Sequence, residues 1–262
     1  MISVFLILTM FAGMAMASSS SGSTETKTTK ITAEKDKKDT DNSEAGDEEK
    51  ENEGSEDTED KGEMSYEITD THFEHHKNIL DMEEYFGYVE ITNTGTKNIY
   101  MKDATFDLED DDGHLLQSDS GYGSPTVVKP GEKGYFYHSG SFDDGVSLKK
   151  GVNLVPSVKV EEATGDFTEY EVVDTDIKKD TLGPKITGRI VNDTDEDVSV
   201  VISVVLYDKA GKVIGLYDSS VYDVTAGGKT SFDRTMAFLN ADITIKDIAD
   251  YKVIARSDYY QF

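Results

Sequence analysis

Three short blocks of this sequence occur twice, in the same order and at nearly the same spacing, and that duplication constrains the fold more than any other feature. Ile91-Thr92-Asn93 returns as Ile190-Val191-Asn192. Phe106-Asp107-Leu108-Glu109-Asp110 returns as Val204-Val205-Leu206-Tyr207-Asp208, and each copy reaches a glycine three positions after its last Asp, Gly113 or Gly211. Val128-Lys129-Pro130-Gly131-Glu132-Lys133-Gly134-Tyr135-Phe136 returns as Val224-Thr225-Ala226-Gly227-Gly228-Lys229-Thr230-Ser231-Phe232. A chain written this way folds as two copies of one unit. Each spans about 80 to 110 residues, the size of an immunoglobulin-like sandwich of roughly seven strands.

The blocks lie in short runs of alternating apolar and polar residues separated by Gly, Asn and Asp, the pattern of antiparallel strands joined by tight turns. Strands are expected at 66–73, 85–92, 98–108, 134–139 and 154–160, and again at 185–192, 198–207, 212–220, 230–236 and 250–256. Asp-x-x-Gly closes a turn in which glycine takes a positive φ. Pro130-Gly131 and Ala226-Gly227 form a second turn that aims Phe136 and Phe232 inward. Between 237 and 248 there is room for a short helix or an irregular crossover, and Ile243-Thr244-Ile245 argues against the helix. With 14 Tyr and 11 Phe but no Cys, cohesion has to come from packed β-type cores and not from disulfides. The expected fold is all-β: two tandem immunoglobulin-like antiparallel β-sandwich domains after a disordered acidic N-terminal linker.

Residues 1–17 read as a signal peptide, an apolar run followed by Ala15-Met16-Ala17, with cleavage expected after Ala17. No Lys or Arg precedes the run. As an uncleaved helix it measures about 24 Å, short of a hydrocarbon core of about 30 Å, so no integral span is expected once it is removed. Met14 stands where a lipid-modified cysteine would follow Phe11-Ala12-Gly13. Residues 18–65 are Ser, Thr, Glu, Asp and Lys with little to bury, and are expected to be a disordered acidic linker. The two sandwich domains are then expected at 66–177 and 178–262, with a hinge at Thr175 to Gly183.

With 53 acidic residues against 26 basic ones the formal charge is −27. Phosphate backbones repel such a chain, so nucleic acid is not an expected partner. Carboxylates in Glu109-Asp110-Asp111-Asp112-Gly113 suggest calcium, but the calcium-loop template fails: its first ligand falls on Leu108 and its twelfth position on Asp119. Asp110 and Asp112 stay as candidate ligands. His72, His75 and His76 are the other candidates, for a transition metal. No nucleophile elbow and no phosphate-cradling glycine loop occurs, so no catalytic residue, cofactor or enzymatic activity is expected. Tyr122, between Gly121 and Gly123, and Tyr259-Tyr260 are candidates for an aromatic binding surface.

Val204-x-Leu206-Tyr207-Asp208 and Phe106-x-Leu108-x-Asp110, set among the other duplicated blocks, resemble the FxLYD domain of bacterial exported proteins. The first copy has Glu109 where that motif has Tyr, and the second has Val204 for Phe. The likeness covers roughly residues 82–262. It implies a secreted or envelope protein carrying a β-domain with no attached activity. Three expectations follow: a binder of a protein or cell-wall component, a structural spacer, or a weak divalent-metal module.

Overall fold

A computed structural model describes residues 62–78, 81–146, 148–149, 151–236 and 243–257. The expected signal peptide, nearly all of the expected linker, and Tyr259-Tyr260 lie outside them. Thirteen strands account for the described fold: β1 (Tyr66–Lys77), β2 (Glu83–Asn93), β3 (Ile99–Glu109), β4 (Leu115–Ser124), β5 (Val127–Val128), β6 (Lys133–Ser141), β7 (Asn153–Glu162), β8 (Glu169–Asp180), β9 (Gly183–Asn192), β10 (Val198–Tyr207), β11 (Val213–Val224), β12 (Gly228–Thr235) and β13 (Asp250–Ser257). All paired neighbours are antiparallel. The stretch in question before β13 is, where described, a turn closed by Asp247 N–H on the carbonyl of Thr244. Among the described residues no helix is long and apolar enough to cross a membrane.

The duplication in the sequence is a duplication of strand pairing. β1 pairs β2, β2 pairs β6, and β3 pairs both β4 and β7. In the same way β8 pairs β9, β9 pairs β12, and β10 pairs both β11 and β13. Each set closes into two layers through one strand that serves both. In the first unit β4 pairs β3 as far as Gly121 and β6 from Tyr122 to Ser124. In the second, β8 gives Glu169 and Tyr170 to β13 and the remainder to β9. The result is an all-β chain of two sandwiches.

Alternation decides what fills each sandwich. Val89 and Ile91 of β2, Phe106 of β3, Phe136 of β6 and Val160 of β7 meet in one core. Ile186 and Ile190 of β9, Ile202, Val204 and Leu206 of β10, and Phe232 of β12 meet in the other. Phe136 and Phe232 are buried as the turn chemistry predicts. Leu108 and Leu206, the leucines of the duplicated motif, are fully buried.

Three strands were not anticipated. β4 (LLQSDSGYGS) is rich in Ser and Gly and β8 (EYEVVDTDIKKD) in charge, so neither carries a strand-like composition; β5 is only two residues long. Their formation is imposed by neighbours. β8 also corrects the expected hinge: Thr175 to Gly183 is the end of β8 and its hairpin with β9, Asp180 facing Gly183. The sheets are instead connected through 163–168, between β7 and β8.

Candidate functional site

The acidic turn is built by its backbone. Asp110 Oδ1 accepts from the N–H groups of Asp112 (2.9 Å) and His114 (3.0 Å), and Gly113 takes φ +79°. Asp208 does the same for Ala210 (2.8 Å) and Lys212 (2.9 Å), with Gly211 also at +79°. These donors, above all the N–H of His114, hold the Asp110 carboxyl below its usual range. Asp110, Asp112 and His114 do bring ligand atoms within 4.8 Å of one another. Asp111 lies elsewhere, its carboxylate accepting from Asn153 Nδ2 at 3.1 Å. In the second unit the counterparts of Asp112 and His114 are Ala210 and Lys212, so the turn forms without a metal.

The three histidines of β1 are separated by the pleat. His72 and His76 share one face and His75 takes the other. At a strand rise of about 3.3 Å per residue, His72 and His76 are spaced roughly 13 Å along the backbone. Each imidazole has its own carboxylate: His72 with Glu74 at 3.2 Å, His75 with Glu83 at 3.5 Å, His76 with Glu84 at 3.6 Å. The structure therefore does not gather them around one point.

Tyr122 is 64% exposed. Its ring lies nearly parallel to His138 (6.2 Å between centroids), and His138 stacks in turn on Tyr85 (5.6 Å). Phe142 (5.1 Å) and Phe73 (5.9 Å) extend the row. Tyr85 donates its hydroxyl to Asp119; burial first, then that carboxylate, pushes its phenol well above the ordinary value. The backbone under Tyr122 is crowded: a Cβ on Gly121 would fall 2.1 Å from the Phe106 ring, and one on Gly123 2.5 Å from Met101. An exposed ring is thereby held on rigid strands.

The most elaborate side-chain arrangement lies between the two units. Phe86 and Tyr88 of β2 and Tyr135 of β6 pack against Val205 of β10 and Val213 and Leu216 of β11. These residues occupy the faces of β2 and β10 turned away from their own cores, so both strands are buried on both sides. Beside this apolar patch Asp218 of β11 accepts hydrogen bonds from Ser203 Oγ in its own unit and from Ser124 Oγ (2.8 Å) and Tyr137 OH (2.8 Å) across the seam. Burial pushes the Asp218 carboxyl up, against the lowering effect of its three hydroxyl donors.

Arg256 of β13 makes the other crossing. It donates to the carbonyl of Val127, to Glu132 at 2.7 Å and to Glu169 at 2.7 Å, and it lies 5.3 Å over the Phe167 ring. Lys129 reaches Glu169 at 2.7 Å. Asp218 and Arg256 were not anticipated from the sequence, because a lone Asp or Arg in a strand carries no mark of its partner. The readable clue was β10 itself: Val198–Tyr207 is apolar at nearly every position, as in strands covered on both faces.

No protein-family model matches the chain, and no curated protein matches it. Among solved structures, dimeric latent PorU from Porphyromonas gingivalis aligns at 12% identity with a TM-score of 0.19. The alignment covers 78% of this chain and 19% of that protein.

Proposed function

We propose that this is an exported, non-enzymatic interaction protein of a bacterial envelope or exterior, with FxLYD-like sandwiches, that binds a protein or a cell-wall component. The observation that carries the reading is the packing of the two units through their sheet faces. A spacer gains reach by joining domains end to end, and packing by faces gives that reach away. What it provides instead is a packed body on which Tyr122, backed by its aromatic row, is exposed. Rigid exposed aromatics supply contact area at little cost in side-chain entropy. The charge of −27 favours neutral or cationic partners over anionic ones.

The test is co-sedimentation of the purified mature chain with isolated cell walls, paired with capture of secreted proteins on the immobilised chain, each run against Tyr122→Ser. Retention or enrichment by the wild type that falls at least fivefold in the variant is expected. Equal behaviour of the two proteins, or no retention in either arm, refutes the proposal.

A further inference from the structure

We infer that the seam between the two units is a proton-tuned latch, in which the carboxyl of Asp218, which among the described residues meets no cation and accepts from hydroxyls of both units, fastens the two sandwiches more firmly when it is protonated. The geometry is specific. Of the three groups that donate to Asp218, Ser203 belongs to β10, Ser124 to β4 and Tyr137 to β6. Ser124 and Ser203 are buried. Among the described residues no ion pair includes Asp218.

The ionisable groups on the surrounding strands are committed elsewhere. Arg234 of β12 is tied to Ser219 Oγ and the Ser220 carbonyl, and Arg256 of β13 to Glu132 and Glu169. Glu90 of β2 is held by Lys133 and Thr69. His138 of β6 meets the Ser120 carbonyl. The seam's other polar side chains include the phenols Tyr88, Tyr135, Tyr207 and Tyr217, and burial pushes Tyr88 and Tyr135 up. A charge left among hydroxyls in a partly desolvated seam is costly, and a proton removes it. A cavity of about 20 Å³ beside Ser203, lined also by Val127, Phe167, Val201 and Arg256, is large enough for one water.

The sign follows from burial. The Asp218 carboxyl sits above its ordinary value of 3.8 in the docked state. Its contribution is thus complete below the undocked pKa and is lost as pH rises through the docked one. Acidification closes the latch and alkaline conditions loosen it.

The chain has no cysteine, so a dye pair on Ser157→Cys and Lys229→Cys, both exposed, labels one unit each. Single-molecule energy transfer on the full chain is read from pH 8 to pH 5. The separated population is expected to shrink as pH falls through the docked pKa, approaching about tenfold for each further pH unit above the undocked value, and Asp218→Asn to remain closed throughout. Tyr137→Phe, which deletes one donor and leaves the strand intact, is expected to enlarge the separated population at pH 8. A wild-type distribution independent of pH, an Asn variant that keeps the wild-type pH response, or a Phe variant indistinguishable from wild type at pH 8 overturns the latch.

Discussion

Asn93 and Asn192 make the same bonds in the two units. Asn93 donates from Nδ2 to the carbonyls of Lys97 (2.8 Å) and Val128 (2.9 Å), and Asn192 to those of Glu196 (2.9 Å) and Val224 (2.9 Å). Both side chains are fully buried. Each pins the end of a strand to the turn that follows and to the end of another strand with one amide. Replacing either by Leu leaves two carbonyls without their donors, at about 1–3 kcal/mol each for a buried unsatisfied group. A urea titration is expected to show a loss of at least about 2 kcal/mol for each variant.

A second paired prediction rests on close approach. A Cβ on Gly188 would lie 2.6 Å from the Phe232 ring, and one on Gly121 2.1 Å from the Phe106 ring. Gly188→Ala and Gly121→Ala should each lower stability by about 1–3 kcal/mol through overpacking. Gly188→Ala combined with Phe232→Leu should cost less than the sum of the two single changes. Thermal melts of the four proteins form the cycle, and strict additivity would count against the contact.

The acidic turn separates a backbone role from a ligand role. Asp110→Ala removes the acceptor for two N–H groups and should cost about 1–2 kcal/mol, as for loss of a helix cap. Asp112→Ala and His114→Ala remove exposed side chains, the latter with its 3.2 Å contact to Asp110, and should stay within about 0.5 kcal/mol. EDTA is expected to leave the wild-type melting temperature unchanged. A drop on chelation, lost in the His114 variant, would assign a metal there.

Acid should act on Glu169 in the opposite direction to Asp218. Burial raises the Glu169 carboxyl, but hydrogen bonds from Lys129 and Arg256 outweigh it and hold the group below 4.5. A carboxylate depressed by folding contributes above its unfolded pKa and loses that contribution as pH falls through the folded one. The urea midpoint should therefore fall below pH 4.5, and Glu169→Gln should flatten that part of the profile. An unchanged slope in the variant would remove Glu169 from the acid response.

Much of the fold was legible because it depends on local pattern. Alternation located β2, β3, β6, β9 and β10, and the duplicated Asp-x-x-Gly announced its turn with glycine at positive φ. β8 was missed because its charges mimic a linker, and its pairing comes from β9 and β13 instead of its own propensity. Of the candidate site residues, Asp110 and Asp112 lie together, whereas His72, His75 and His76 are divided by the pleat. Tyr122 was visible as an aromatic between glycines, but its stacking on His138 depends on a strand sixteen positions away. Asp218 and Arg256 act across a seam whose apolar side β10 announces but whose polar partners no local pattern pairs.

The two-sided burial of β2 has a temporal consequence. Synthesis from the N-terminus completes β7 at Glu162 before β10 and β11 exist. Phe86, Tyr88 and Tyr135 then wait without their partners on β10 and β11 until about 60 more residues are made, roughly 3 to 12 s at 5–20 residues per second. For that interval the half-finished chain presents an adhesive aromatic surface. Chaperone capture, or pairing with another nascent copy, competes during those seconds with the arrival of the second unit.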